Sequence, residues 1–177
     1  MKKHFIFPLL LFFVVMITAF TITTNDEATV KKHGTDIKWL SFAEASKLSR
    51  KHPKKIFIDV YTSWCGWCVK MDKTTFKDQD IARYVNDKYY AVKLNAESDN
   101  MITYKSKEMS EKDLARNIFR ATGYPTTVYL DQDMNLLQPI PGYLGAEMLD
   151  KILHFYGEDH YKTTSWDQFQ ANYNSAQ

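Results

Sequence analysis

The stretch Ile58-Asp59-Val60-Tyr61-Thr62-Ser63-Trp64-Cys65-Gly66-Trp67-Cys68 holds both cysteines of the chain, three positions apart, directly after a short apolar run. Ile56–Tyr61 is compact, rich in β-formers and interrupted only by Asp59, the pattern of a buried central strand. A helix is predicted to begin near Cys65 and to continue past Met71. Two cysteines at this spacing in a first helical turn can close a disulfide with little backbone movement. At the helix start, Cys65 faces backbone N–H groups that have no intrahelical partner, and the positive end of the helix macrodipole. Both favour its thiolate and make it the attacking nucleophile. Cys68, inside the helix and more shielded, is suited to resolving a mixed disulfide formed by Cys65.

A bare pair of this kind has other readings. Half of a metal site is one, but His33, His52, His154 and His160 have no ligand-like spacing. A purely structural bridge is another, although so small a loop gains little from cross-linking. The count of two also excludes a disulfide-stapled mini-fold and a four-cysteine zinc site. The 177 residues suffice for one domain. Lys and Arg total 23 against 21 Asp and Glu, a net charge of +2, which makes no electrostatic case for a nucleic-acid partner. With 45% hydrophobic and 15% aromatic residues, a packed core is within reach and disorder is not expected.

The N-terminus stands apart. Lys2 and Lys3 precede an uncharged stretch from Phe5 to Asn25 whose apolar heart is Phe5–Phe20. This reads as an export signal or as an uncleaved membrane tether through residues 5–25. The small-x-small cleavage pattern is poor, because Ile17 precedes Ala19 and Asp26 precedes Ala28 by two positions. The run is also near the lower length limit for crossing a bilayer. A buried N-terminal helix is the third reading. No cysteine follows to support a lipoprotein anchor. The expected organisation is a signal peptide or anchor at 1–28, a folded domain at 29–158 and a C-terminal extension at 159–177.

Outward from the cysteines, strands and helices alternate. Ile37–Leu40 reads as a short strand; Ser41 and Glu44 form a capping box for a helix to about Arg50. Pro53, Lys54 and Lys55 read as a turn. Asp80–Asp87 is helical, with Ile81, Tyr84 and Val85 on one face, and Tyr89–Leu94 is a strand. Ser110 caps a helix carrying Leu114, Ile118 and Phe119, which ends before Gly123. Thr126–Leu130 and Leu136–Ile140 make a hairpin around Asp131–Asn135, and Glu147–Phe155 is helical. The fold class is α/β with a central mixed β-sheet flanked by helices.

At this point the motifs resemble one family. Ile58–Cys68 is similar to the thioredoxin active-site strand and loop, including an aspartate six residues before the first cysteine. Val92-Lys93-Leu94-Asn95 resembles the next strand, Gly123-Tyr124-Pro125-Thr126 the cis-proline loop, and Gly142-Tyr143-Leu144 the turn before the last helix. The resemblance covers about residues 36–156 and implies the thioredoxin fold. It implies that Asp59, with a raised pKa, takes the Cys68 proton through water while Lys93 modulates it. It implies a cis Pro125, with the backbone of Tyr124 pairing with a substrate strand. Trp64, Gly66, Trp67, Tyr124 and Pro125 would form the docking surface, and Tyr143 belongs either to that rim or to the core. Solvent exposure of Asp59 and of Lys93, and an ordinary proline at 125, are the plainer readings.

Departures from the family pattern also matter. Gly-Trp replaces the Gly-Pro of thioredoxin between the cysteines. An insertion near Ala96–Ser110 is expected to lengthen a loop or helix beside the site, as a recognition element or a tolerated surface feature. Beyond the last family helix, Ser165-Trp166-Asp167-Gln168-Phe169 is expected to start a small helix that docks through Trp166 and Phe169. Exported bacterial thioredoxin-like and disulfide-isomerase-like proteins have similar Trp-Cys-Gly-Trp-Cys sites. The reading is thus an extracytoplasmic, periplasmic thiol–disulfide oxidoreductase, with reduction favoured over isomerisation or oxidation. It needs no bound cofactor, because electrons pass from dithiol to disulfide. Its partners would be proteins with disulfides or thiols and a membrane electron-transfer protein. A non-catalytic docking or chaperone module and a thiolate metal carrier are the alternatives.

Overall fold

The computed structural model describes residues 35–173 together with Met1. The expected signal or anchor therefore falls outside the described residues, apart from Met1, as do residues 174–177. No helix among the described residues is long and apolar enough to cross a membrane.

The apolar run before the cysteines is the middle of the sheet. In β2 (Lys55–Tyr61) the five residues Ile56–Val60 are all buried, as a strand covered on both faces requires. Strand β3 (Tyr89–Asn95) runs parallel to β2 and sets Asp59 opposite Lys93. Strand β1 (Trp39–Leu40) is parallel to β3. On the other side, β6 (Thr126–Leu130) is antiparallel to β2, with Asp59 opposite Thr127, and β7 (Leu136–Pro141) closes a hairpin with β6. The order is β1-β3-β2-β6-β7, a mixed five-stranded sheet. Two end positions differ from the sequence reading. Ile37 is buried but outside the paired strand. Lys55 belongs to β2 rather than to the preceding turn, and its ammonium donates to the Gly157 carbonyl at 3.1 Å and pairs with Asp159 at 3.0 Å.

Helices cover both faces. Helix α1 (Phe42–Lys51) starts with the expected capping box: Ser41 Oγ accepts from the Glu44 N–H, and Glu44 Oε2 accepts from the Ser41 N–H. It packs on the face lined by Ile56, Ile58, Val60, Val92, Leu94, Val128 and Leu130. The opposite face is covered by α2 (Gly66–Lys73), α3 (Gln79–Lys88) and α5 (Ala146–Gly157). These bury Met71, Ile81, Val85, Leu149 and Leu153 against Phe57, Ala91 and Tyr129.

The insertion is neither a longer loop nor a longer helix. Most of it is a separate two-stranded hairpin, β4 (Met101–Tyr104) and β5 (Lys107–Ser110). Its two turn residues, Lys105 and Ser106, are both left-handed, with φ of 46° and 66°. Tight hairpin turns favour Asn-Gly there, so Lys-Ser carried no signal. Tyr104 anchors the hairpin: its ring meets Phe42 and Phe119, and its hydroxyl donates to the Met134 carbonyl at 2.8 Å. Ser110 caps α4 (Glu111–Asp113), which widens into a π turn over Leu114–Ile118. In the tail, α6 (Trp166–Asn172) rests on α5 through Trp166 and Phe169, whose rings lie 5.3 and 5.1 Å from that of Phe155.

Candidate active site

The cysteine pair sits where β2 hands over to α2. Cys65 is the N-cap of α2, with extended backbone, and its sulfur accepts a hydrogen bond from the Cys68 N–H at 3.0 Å. Ser, Thr, Asp or Asn usually supplies that acceptor; here a sulfur does, so the helix start holds Cys65 Sγ. Cys65 and Cys68 form a disulfide with S–S 2.04 Å and Cα–Cα 5.3 Å. The expected greater shielding of Cys68 is not a difference in accessible area, since the two are 4% and 3% exposed. They differ in position instead: Cys65 is at the cap and Cys68 is inside the first turn.

The exposed surface around the pair is aromatic. Trp64 and Trp67 are 71% and 56% exposed, far above what a core tryptophan shows. Trp64 meets Tyr124 edge-on at 5.8 Å, and Trp67 meets Tyr143 at 5.4 Å. The Lys70 ammonium lies 4.6 Å from the Trp67 ring centre and 5.0 Å from that of Tyr143. Tyr143 unites its two readings, because it also packs against the core under α2. A Cβ on Gly66 would meet no atom within 4 Å, so the surface above the first helical residue is open. The Tyr124–Pro125 peptide bond is cis, and the Pro125 carbonyl accepts from the Gly142 N–H at 2.8 Å.

The strand that leads to the pair carries a buried carboxylate. Asp59 is 1% exposed, so it does not face solvent. Its Oδ2 accepts from Lys93 Nζ at 2.6 Å, while Oδ1 has no partner among the described residues. Burial raises its pKa above the ordinary aspartate value, against the opposing pull of Lys93. Lys93 also pairs with Asp72 of α2. Its ammonium is surrounded by the rings of Trp39, Phe76 and Tyr61 at 4.9, 5.0 and 5.4 Å. Burial pulls Lys93 down, but the two carboxylates outweigh it and hold the pKa above the usual lysine value. The exposed strand lysine is thus also overturned.

Two residues near the site escaped the sequence reading. Asp72 lies on the same helix as the cysteines and shares Lys93 with Asp59. Its only sequence signal was its place one helical turn beyond Cys68. Glu97, just after β3, accepts from both the Ser63 N–H at 2.6 Å and the Ser63 hydroxyl at 2.7 Å. The Ser63 hydrogen bonds, the backbone one first, hold the Glu97 carboxyl below its ordinary value. It ties the loop before Cys65 to the start of the insertion, across a sequence distance that gives no local signature. Among the described residues no group of three or more His, Cys, Asp or Glu side chains is placed to hold a metal ion.

A mixed sheet with a cysteine pair at the N-cap of the helix after its central strand, facing a cis-proline loop, defines a class. Residues 42–157 match the thioredoxin-like domain family, and the chain belongs to it. Among curated relatives, the thiol:disulfide interchange protein DsbD of Haemophilus influenzae is 25% identical over 143 residues, which is 76% of this chain and 23% of that protein. The chain therefore spans under a quarter of that relative's length. Among solved structures, a thioredoxin-fold protein from Helicobacter pylori superposes with a TM-score of 0.57 at 20% identity, covering 67% of this chain and 81% of that one. A candidate disulphide-isomerase from Bacteroides thetaiotaomicron gives a TM-score of 0.54 at 26% identity, covering 75% and 97%.

Proposed function

We propose that the protein is an extracytoplasmic thiol–disulfide oxidoreductase that reduces disulfides in exported proteins. The observation that carries the reading is Cys65 Sγ at the N-cap of α2, bonded to Cys68 and receiving the Cys68 N–H. In the reduced protein, the Cys65 thiolate attacks one sulfur of a substrate disulfide. The substrate S–S bond breaks, its second sulfur leaves as a thiolate, and a Cys65–substrate disulfide forms. Cys68 then gives its proton to Asp59 through water and attacks Cys65 Sγ. This regenerates the Cys65–Cys68 bond and releases the second substrate thiol, so two electrons have passed to the substrate. Lys93 keeps Asp59 anchored and limits how far its pKa rises.

Trp64, Gly66, Trp67, Tyr124 and Pro125 form the docking surface in this reading, with the Tyr124 backbone meeting an extended substrate segment. The likeness to an interchange protein and to a candidate disulphide-isomerase supports the chemistry. The basic start and apolar run of residues 2–25 support a location beyond the cytoplasmic membrane, in the periplasm. The partner that reduces the Cys65–Cys68 bond would then be a membrane electron-transfer protein. The Asp59–Lys93 pair supports reduction, since both residues belong to the reducing thioredoxin site that these strands resemble.

Insulin reduction in the presence of dithiothreitol tests the reading. The wild-type protein should accelerate precipitation and Cys65→Ser should abolish the acceleration; activity unchanged in Cys65→Ser overturns it. The Cys65–Cys68 potential against glutathione tests the direction. A value near that of thioredoxin supports a reductase, and one near the strongly oxidising disulfide-forming enzymes reverses the preference.

A further inference from the structure

The face of the sheet under α2 and α5 holds three buried oxygens without a partner among the described residues: Asp59 Oδ1, Thr127 Oγ1 and Tyr129 OH. Their residues are 1%, 0% and 0% exposed. The β2–β6 register sets Asp59 opposite Thr127 and Phe57 opposite Tyr129. The two-residue period then puts all four on one face. Directly opposed residues have Cβ atoms about 4.5–5.5 Å apart, which brings the Thr127 hydroxyl within reach of the Asp59 carboxyl through one bridging water. Tyr129 follows Thr127 by two positions on the same face, and burial keeps its phenol protonated and therefore able to donate. Buried polar atoms in folded proteins nearly always have partners, and three orphans in adjacent positions call for a shared one.

We propose that Thr127 and Tyr129 are positioning residues for Asp59, a buried hydroxyl pair that serves the one carboxylate oxygen Lys93 leaves free. With Asp59 ionised, the Tyr129 and Thr127 hydroxyls donate toward Asp59 Oδ1 through bridging water. When the proton of Cys68 arrives on Oδ1, the Asp59 hydroxyl donates and Thr127 accepts, because a threonine rotor can do either. Valine and phenylalanine would fill the same space without offering this exchange. The charged and titratable groups facing the cluster are Lys93 and Tyr89 from β3, Asp72 from α2 and Tyr156 from α5.

The catalytic consequence rests on the proton role of Asp59 proposed above, so the test reads the carboxyl itself. Carbon-13 NMR titration of Asp59 in the full chain would be compared for wild type, Thr127→Val and Tyr129→Phe, beside the pH profile of insulin reduction. Thr127→Val removes a donor to the ionised form and should raise the Asp59 pKa by about one unit, about tenfold in its ionisation constant. Tyr129→Phe should shift it the same way by less. The rate profile should move in parallel, and neither substitution should move it in an Asp59→Asn background. An Asp59 titration unchanged in both variants while melting temperature falls overturns the proposal and leaves a packing role. If Thr127→Val does not fold, Tyr129→Phe decides alone, with Thr127→Ser required to titrate like wild type. A shifted carboxyl in a protein that reduces no disulfide keeps the positioning role and removes the oxidoreductase reading.

Discussion

The two faces of the central sheet come from the same strands, one residue out of phase, and they are built on opposite terms. The face under α1 and the β4–β5 hairpin carries no buried charge and is apolar across its middle: Ile56, Ile58 and Val60 of β2 meet Val92, Leu94, Val128 and Leu130. The face under α2, α3 and α5 begins in the same way with Phe57, Ala91 and Tyr129. Toward the cysteine end it then carries Asp59, Lys93 and Thr127. Burying a carboxylate is costly unless it is paired, and Lys93 supplies the pair from the neighbouring strand. The charged patch belongs to the face covered by the cysteine helix, whereas the buried polar group of the other face, Thr126, is neutral and donates to the Gly123 carbonyl.

That contrast can be broken most directly by placing a charge on the other face. Val128→Asp puts a carboxylate on the apolar face with no lysine beside it, and should cost more than about 4 kcal/mol or prevent folding. Urea unfolding measures this, and a loss under about 1 kcal/mol would show that the faces are not different in kind. Removing the pairing charge comes next. Lys93→Met leaves Asp59 buried alone and should cost about 3 kcal/mol at neutral pH. The sign of the pH dependence follows from the raised pKa of Asp59. Its folded form holds the proton more tightly than its unfolded form. Stability is therefore greatest below the ordinary carboxylate pKa and is lost as pH rises through the folded value. The Lys93→Met deficit should accordingly shrink in melts near pH 4.

Asp59→Asn sharpens the comparison in the opposite direction. Lys93 keeps Asp72 as a partner and the buried charge disappears, so neutral-pH stability should rise by about 1–2 kcal/mol. The gain should fade as the pH drops, the variant should rescue Lys93→Met, and insulin reduction should slow. The smallest effect is expected outside both faces, at Glu97. Its pKa is lowered, so its hold on Ser63 is present above the ordinary carboxylate range and lost as pH falls through the lowered value. Glu97→Ala should leave unfolding unchanged and accelerate hydrogen exchange at the Ser63 amide; unchanged exchange would mean that the loop needs no tie.

The legibility of the molecule followed the range of its interactions. The capping box at Ser41, the apolar strand at Ile56–Val60 and the helix start at Cys65 are written in a few consecutive residues, and each lies where those residues put it. The β4–β5 hairpin was hidden because its left-handed turn is made by Lys105 and Ser106, which lack the usual Asn-Gly signature. Its anchor, Tyr104, meets partners as far away as Phe42 and Met134. Asp72 and Glu97 look like ordinary surface acids until the fold brings Lys93 to one and Ser63 to the other.

By itself, the sequence determined the cysteine pair, its place at a helix start and the strand behind it, because capping, periodicity and cysteine spacing act over one or two turns. Only the tertiary structure decided what surrounds that pair. Strand register set Asp59 against Lys93 on one side and Thr127 on the other, and helix packing added Asp72. Register and packing are settled by the burial of whole faces at once. Of residues 56–60, only Asp59 is polar and all five are buried, so its charge became a feature of the site through the neighbours that folding delivered.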